Sequence, residues 1–261
     1  INAMMDWLFK RGEARIDGFD FRKLPRIDTR DDAIRRATFE QEEIDDFKEA
    51  VRVYCDREKQ ALDEREWLMR CLAGNFFVLL ALSGLRVGEL MQMRWGDIEW
   101  HDVHTKRHGE HALVLINVRA ETSKVRKSRR LYCRDEERFR SWRRVILPVI
   151  NLPSVRDLLV FSLDGTTPFS KRALHYHFGK LLELADIDRT DRDLVPYSFR
   201  HYFITERVTA GLSYQQVAEM CGTSVAQIER TYYHLNDDTR MVHALAGYEI
   251  DDEGLVVPVG H

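Results

Sequence analysis

Residues 82–95 read LSGLRVGELMQMRW, and this stretch decides both the fold and the candidate site. A long apolar helix over about 66–82 runs into Ser83-Gly84, and glycine commonly ends helices in the left-handed conformation. The turn aims the arginine that follows, Arg86. A short helix comes next, and it places Glu89 one helical turn after Arg86, where its carboxylate can orient the guanidinium. The alternative interpretation is a surface arginine in an i,i+3 ion pair.

Outward from this stretch, much of the chain has the apolar periodicity of amphipathic helices. The sequence Thr38-Phe-Glu-Gln41 is typical of a capping box and opens the first helix of the folded domain. Pro148 and Pro153 are expected to bound a loop, and 158–161 is a short apolar extended segment. Apolar spacing and capping residues predict further helices over about 66–82, 87–94, 135–145, 171–185, 196–210, 213–221, 224–233 and 237–246.

A small antiparallel sheet is predicted in the middle of the chain. The segment Trp95–Trp100 leads into a strand region, and the spacing of Leu113, Leu115 and Asn117-Val118, followed by Arg129–Cys133, indicates antiparallel strands. The polar segment 121–128 forms the turn between the last two strands. The fold class is therefore mainly α with a small antiparallel β-sheet, an α+β domain.

Composition excludes several classes of protein. The 261 residues are 44% hydrophobic and 32% charged, as in a globular protein. The longest apolar run, Phe76–Leu82, is shorter than the roughly 20 residues that cross a bilayer. The four cysteines stand far apart and have no zinc-ligand spacing, so we expect reduced thiols and neither a metal nor a cofactor. We expect a cytoplasmic protein without membrane contact.

Charge is distributed unevenly along the chain. The net charge is −3, but residues 119–144 hold eleven lysine and arginine residues against four acids. Such a stretch is either a solvated face or a surface that contacts phosphates. The candidates for DNA phosphate contacts are Lys127, Arg129 and Arg130.

Two further segments carry chemically capable side chains. Residues 196–202 read PYSFRHY, and Tyr197 and Arg200 share a face near a helix start. Residues 220–234 read MCGTSVAQIERTYYH and contain a pair of adjacent tyrosines, Tyr232 and Tyr233. Neither segment is diagnostic alone, because surface arginines and packed aromatic residues are common on helices.

In this order and at these distances, the segments resemble the tyrosine recombinases, also called the phage integrase family. The first box of that family, Gly-Leu-Arg-x-x-Glu-Leu, is matched fully by 84–90. The second, His-x-x-Arg-His, is matched by 197–201, with Tyr197 in place of the first histidine. The third is Leu-Gly-His with a nucleophilic tyrosine ten residues after the glycine. Here Gly222 is followed by Thr223 instead of histidine.

Register from Gly222 selects Tyr232 as the nucleophile over its rival Tyr233. His234 agrees, because the family often has a histidine two residues after the nucleophile. The hairpin lysine of the family, which precedes a basic stretch, is matched by Lys124. The resemblance covers about 38–245 and implies the tyrosine recombinase catalytic-domain fold.

The resemblance also implies roles for the matched residues. Arg86 and Arg200 bind the non-bridging oxygens of a DNA phosphate, Tyr232 attacks the phosphorus, and Lys124 protonates the leaving 5′-oxygen. A phenol is a poor proton acceptor at neutral pH, so Tyr197 is expected to donate a hydrogen bond to the phosphate. Thr223 stands at the site in the place of a histidine. Supporting positions around these groups are Glu89 and His201.

The implied function is that of a site-specific recombinase or integrase, encoded by a bacterium or a phage. It acts on double-stranded DNA through a 3′-phosphotyrosine intermediate, without metal or cofactor, and self-associates on DNA in a tetrameric synapse in the full-length protein. A non-catalytic DNA-binding module derived from the same fold is the alternative. A relative of the type IB topoisomerases shares the chemistry but fits the spacing less well.

Three regions are expected along the chain. Residues 1–37 are an N-terminal extension or linker, which holds a cloning scar at Ile1-Asn2-Ala3 and the possible end of a missing DNA-binding domain. Residues 38–247 are the catalytic domain, so we expect a fragment with weak DNA affinity. Residues 248–261 are a C-terminal tail, either exchanged between protomers or disordered.

Overall fold

The structure is a computed structural model that describes residues 2–16, 38–105, 109–190, 192–232, 247–250 and 256–259. The chain divides into two units, Ile1–Arg36 and Ala37–His261. The first unit contains helix α1 (Asn2–Lys10). Residues 17–37 of the expected N-terminal extension and the helix expected over 237–246 lie outside the described residues.

The described part of the second unit is mainly helical. Its helices are α2 (Gln41–Tyr54), α3 (Glu64–Ser83), α4 (Val87–Met91), α5 (Glu136–Ile150), α6 (Lys171–Leu184), α7 (Ser198–Thr209), α8 (Tyr214–Cys221) and α9 (Val225–Tyr232). The strands β1 (Ile98–Thr105), β2 (Gly109–Val118) and β3 (Arg129–Cys133) form an antiparallel sheet in the order β1-β2-β3, and β4 (Gly247–Ile250) pairs with β5 (Val256–Val259). The predicted α+β fold class is confirmed.

Helix α3 lies at the centre of the core and packs against α2, α5, α6 and α7. By length and composition it could cross a membrane, but 67% of its most apolar window is buried inside the protein, as in a core helix. Phenylalanine rings surround it: Phe77 packs edge-on against Phe47, which is 6.0 Å away. Phe39 stacks on Phe199 at 4.6 Å and joins the start of α2 to α7.

A second, smaller apolar cluster attaches α8 and α9 to α7. It contains Phe203, Ile204, Val208, Val217, Ala218, Cys221 and Ile228. Within the described side chains of α9, Ile228 is the buried one. Burial of one isoleucine contributes about 1.5–3 kcal/mol, so α9 rests on the body of the domain through a narrow contact.

Two local expectations are wrong. Helix α2 is capped by Glu40, whose backbone N–H donates to Glu43 at 2.9 Å, and not by Thr38. The cap lies two residues later because Phe39 turns into the core. Pro148 lies inside α5 and does not bound a loop. The helix continues past it because Ile146 and Ile150 both pack on the core.

The C-terminal tail has internal structure. The run 255–259 has no obvious partner in the sequence, but β5 pairs antiparallel with β4, with Ile250 opposite Val256. The segment 158–161, predicted to be extended, forms an isolated antiparallel bridge between Leu159 and Arg94 and bonds to the segment after α4. There Val160 donates its backbone N–H to the Met93 carbonyl at 2.9 Å.

Candidate active site

Arg86 is held by the turn between α3 and α4. Helix α3 ends at Gly84, whose φ of 61° is left-handed, and Arg86 caps α4 in an extended conformation. The backbone N–H of Arg86 donates to Glu89 at 2.9 Å, and its Nη1 donates to the same carboxylate at 2.8 Å. Its Nη2 donates to the Gly222 carbonyl at 2.6 Å. Glu89 therefore orients Arg86, as the spacing predicts.

Arg200 reaches the same place from the first turn of α7. It is 2% exposed. Its Nη1 donates to the Gly84 carbonyl at 2.6 Å and its Nη2 to the Cys221 carbonyl at 2.8 Å. The buried Nε of Arg200 has no hydrogen-bond partner within the described residues. Arg86 and Arg200 thus donate to carbonyls of two consecutive residues, so the structure brings the two guanidinium groups together.

A third arginine, Arg129, belongs to the same cluster. Its side chain is not solvated. Its side chain is 9% exposed. Nη1 and Nη2 donate to the two oxygens of Glu89 at 3.0 and 2.7 Å, and Nε donates to the Met220 carbonyl at 3.0 Å. In this structure the donors of Arg129 face the interior and not the surface expected for a contact with DNA phosphates. A pattern in the sequence could have indicated this: residues alternate along a strand, and Arg129 shares the buried face of Leu131 and Cys133.

The carboxyl end of α8 is where the three arginines meet. The last carbonyls of a helix have no partner inside the helix. Here the carbonyls of Met220, Cys221 and Gly222 each accept from a different guanidinium. Cations are also favoured at this negative end of the helix dipole.

Glu89 is the negative charge that balances this cluster. Burial alone raises the pKa of Glu89, but the hydrogen bonds and charges of Arg129, together with those of Arg86, outweigh burial and hold the pKa below its usual value. Its side chain is only 2% exposed. The carboxylate therefore stays ionised at neutral pH and keeps both arginines in place.

Lys124 lies on the turn between β2 and β3, in a cleft that it shares with Arg86. The open cleft has a volume of about 720 Å³. Its lining comprises Arg86, Gly88, Glu89, Ala120, Glu121, Thr122, Ser123, Lys124 and Arg126. Lys124 is exposed. The structure thus places the Lys124 ammonium and the Arg86 guanidinium in the lining of one open cleft.

Tyr197, His201 and Thr223 lie on the elements that carry the arginines. Tyr197 caps α7, and its half-buried ring meets the buried ring of His201 edge-on at 5.0 Å. Thr223 follows Gly222 directly and is half-buried. Its backbone N–H donates to the Ala218 carbonyl at 3.0 Å. His201 therefore packs behind Tyr197, as a supporting residue would.

Tyr232 is the last residue of α9, and the structure describes its backbone. The helix begins three residues after Gly222, where Ser224 accepts from the Gln227 N–H at 3.2 Å. At a rise of about 1.5 Å per residue, Tyr232 lies two helical turns from this start. Tyr233 and His234 lie outside the described residues.

The two remaining candidates for DNA contact are apart from the arginine cluster. Lys127 is exposed on the turn, and Arg130 is 61% exposed on β3, where it lies 3.4 Å from Glu99. Across the portion of the chain that the structure describes, no cluster of three or more histidine, cysteine, aspartate or glutamate side chains could hold a metal ion.

Comparison with known proteins identifies a family. The profile of the phage integrase family matches residues 40–239. No curated protein sequence matches the chain significantly.

Solved structures share the fold at low sequence identity. XerH site-specific recombinase, bound to a palindromic difH substrate after cleavage, superposes with a TM-score of 0.58 and 14% identity, over 80% of this chain and 53% of XerH. The Tn1549 transposon integrase with circular intermediate DNA gives 0.53 and 16%, over 94% and 76%. XerA recombinase gives 0.51 and 22%, over 80% and 64%. This chain therefore spans about half the length of XerH.

Proposed function

Because the chain belongs to the phage integrase family, we propose that it cleaves and rejoins DNA strands at a specific site through a covalent 3′-phosphotyrosine at Tyr232. One observation carries this proposal: Arg86 and Arg200, 114 positions apart in the chain, donate to the consecutive carbonyls of Cys221 and Gly222. They therefore lie together beside the segment that leads into the helix of the tyrosine.

The two arginines suit a phosphate in a cleavage transition state. A guanidinium has five N–H donors in a rigid fork, and one arginine can bind two phosphate oxygens. The carbonyls and Glu89 use only some of these donors. The Nε of Arg200, which is buried without a partner among the described residues, is one that a phosphate oxygen would satisfy. Such fixed donors stabilise developing negative charge without reorganising.

The chemical step exchanges one phosphoester bond for another. The Tyr232 oxygen bonds to phosphorus and the bond from phosphorus to the 5′-oxygen breaks, which leaves a 3′-phosphotyrosine. The leaving oxygen takes a proton from the Lys124 ammonium, which acts as general acid. The phenol proton passes to a base or to solvent. Attack by a 5′-hydroxyl of another strand reverses the step and completes strand exchange.

Three further residues support this reaction. Tyr197 donates its phenol hydrogen bond to the phosphate, and His201 holds the ring of Tyr197 from behind, since the two rings meet at 5.0 Å. Thr223 occupies a histidine position of the family beside Gly222. Its hydroxyl offers a neutral hydrogen bond to the same phosphate.

The partner in this proposal is double-stranded DNA. The XerH and Tn1549 proteins were solved with DNA bound. Exposed Lys127 and Arg130 contact the backbone, so affinity falls steeply with salt. We place the catalytic domain at 38–247, between a linker and a tail that exchanges between protomers of a tetrameric synapse. The place of action is the cytoplasm of a bacterium.

A nicked suicide DNA substrate tests the proposal. Such a substrate loses a short strand after cleavage, so the covalent protein–DNA adduct accumulates and is visible on a denaturing gel. Tyr232→Phe should abolish the adduct, because it removes the attacking oxygen. Tyr233→Phe is the matched control and should leave the adduct in place, because the ten-residue spacing from Gly222 selects Tyr232 as the nucleophile.

The same assay decides between the two functions considered for this fold. No adduct from the wild-type protein on its cognate DNA, with DNA binding intact, would leave the non-catalytic DNA-binding module. Loss of the adduct in Tyr233→Phe but not in Tyr232→Phe would overturn the assignment of the nucleophile.

A further inference from the structure

We infer that Arg129 is a positioning residue, which holds Arg86 and the carboxyl end of α8, just before α9, in a fixed relative position through Glu89 and Met220. The inference rests on the proposed function and adds to it a residue that does not touch the phosphate. Arg129 is the buried arginine of β3, on the strand that follows the turn of Lys124.

The contacts of Arg129 close a ring. Its guanidinium binds Glu89 through two hydrogen bonds, and Glu89 binds Arg86 through two more. Arg86 then donates to the Gly222 carbonyl, and two residues earlier the Met220 carbonyl accepts from Arg129. In such a ring, a shift of one member moves the others.

Gly222 shows how closely the ring is fitted. Its φ is +64°, and a β-carbon added there would lie 2.6 Å from Nη1 of Arg129 and 2.7 Å from its central carbon. The guanidinium therefore lies against the bare α-carbon of Gly222. Any side chain at 222 would displace Arg129 from Glu89. Glycine is therefore needed at 222 both for the left-handed turn and for the close contact with the guanidinium of Arg129.

The ring of contacts links the three parts of the chain that hold the proposed catalytic residues. Arg86 is itself a phosphate ligand in the proposed function. Lys124 lies five residues before Arg129 on the same hairpin. Tyr232 ends the helix that begins three residues after Gly222. Because a displacement of about 1 Å can cost roughly 100-fold in rate, loosening Arg129 should slow the chemistry even though DNA still binds.

The test is Arg129→Lys, which keeps the charge but cannot bind a carboxylate with two donors and a carbonyl with a third in fixed geometry. Adduct formation is measured in a single turnover at saturating DNA, together with the dissociation constant for the DNA. We expect the saturated rate to fall about 100-fold and the dissociation constant to change less than about twofold, because the lost contacts do not face the DNA.

Arg192→Lys is the matched control. Arg192 likewise binds a carboxylate, Glu43, through both terminal nitrogens and donates to the carbonyls of Thr38 and Asp188. Its contacts lie at the start of α2, away from the arginine cluster. Arg192 is 31% exposed, so a smaller loss of stability and an unchanged adduct rate are expected there. An equal loss of rate in both variants would show a general effect of stability and overturn the inference.

Further outcomes separate the inference from the proposed function. A wild-type rate in folded Arg129→Lys overturns the inference and leaves the function standing, whereas no adduct from the wild type overturns the function. If Arg129→Lys does not fold, Gly222→Ala tests the contact from the other side. If folded Gly222→Ala, with unchanged circular dichroism, forms the adduct about as slowly as expected for Arg129→Lys, the inference is supported. An unchanged rate of adduct formation in Gly222→Ala contradicts it.

Discussion

Glu89→Gln should destabilise the protein more than any exposed charge change, because it removes the anion that binds both Arg86 and Arg129. The carboxylate is 2% exposed, and it faces guanidinium groups that are 17% exposed in Arg86 and 9% in Arg129. Glutamine keeps one acceptor oxygen and turns an amide N–H₂ toward a cation. Breaking a buried ion pair on one side typically costs about 3–5 kcal/mol. For a domain of this size the melting temperature should fall by roughly 6–20 °C.

The assay is urea denaturation of the wild type and of Glu89→Gln, with circular dichroism and fluorescence as independent probes. Glu99→Gln is the control, since Glu99 also accepts from an amide and an arginine but is 49% exposed. Exposed pairs contribute at most about 1 kcal/mol. A loss below about 1 kcal/mol in Glu89→Gln, equal to that of the control, would refute the arginine cluster as a buried, charge-balanced unit.

The difference in stability between the wild type and Glu89→Gln should depend on pH in a definite direction. The pKa of Glu89 is below its usual value in the folded protein, since the two arginines outweigh the effect of burial. A lowered carboxyl pKa stabilises the fold above the unfolded value of about 4.3, and this stabilisation is lost as the pH falls through the folded value. The difference in unfolding free energy between wild type and Glu89→Gln should be constant near neutral pH and shrink below about pH 4.3. A difference that grows on acidification would contradict the assignment.

Three further outcomes are expected. Lys124→Ala should slow adduct formation, and a substrate with sulfur in place of the 5′-bridging oxygen should restore the rate, because a thiolate leaves without a proton; no restoration would exclude Lys124 as the general acid. Lys127→Ala and Arg130→Ala should each reduce the slope of log affinity against log salt by about 1, measured by fluorescence anisotropy. Gly84→Ala should cost more than about 2 kcal/mol in urea titrations, because φ is +61° and the new carbon would lie 2.3 Å from a ring of α7, whereas Gly88→Ala meets no atom within 4 Å.

Helices and their glycine ends were predictable from the sequence because their signals are local. Gly84 and Gly222 both end helices in the left-handed conformation, as their places after apolar periodic runs indicate. The i,i+3 spacing of Arg86 and Glu89 also predicts their ion pair, since one helical turn fixes that distance.

Burial within the basic stretch was not predictable from charge. Arg129 and Arg130 are neighbours with the same side chain, and one is 9% exposed whereas the other is 61% exposed. What separates them is the face of the strand and the presence of Glu89, 40 residues earlier, opposite one of the two. The number of cations in the stretch does not distinguish the two; the alternation along β3 indicates the buried face, and the pairing with Glu89 comes only from the fold.

The replacement of two family histidines is chemically consistent with the arginine cluster. Neither the phenol of Tyr197 nor the alcohol of Thr223 can supply positive charge to a phosphate. Arg86 and Arg200 can, because guanidinium groups stay protonated at every physiological pH. They are also held in place by carbonyl partners at the end of α8. The electrostatic part of the proposed reaction therefore depends on permanent charges and not on a titrating imidazole, and the proposal requires only neutral hydrogen-bond donors at 197 and 223.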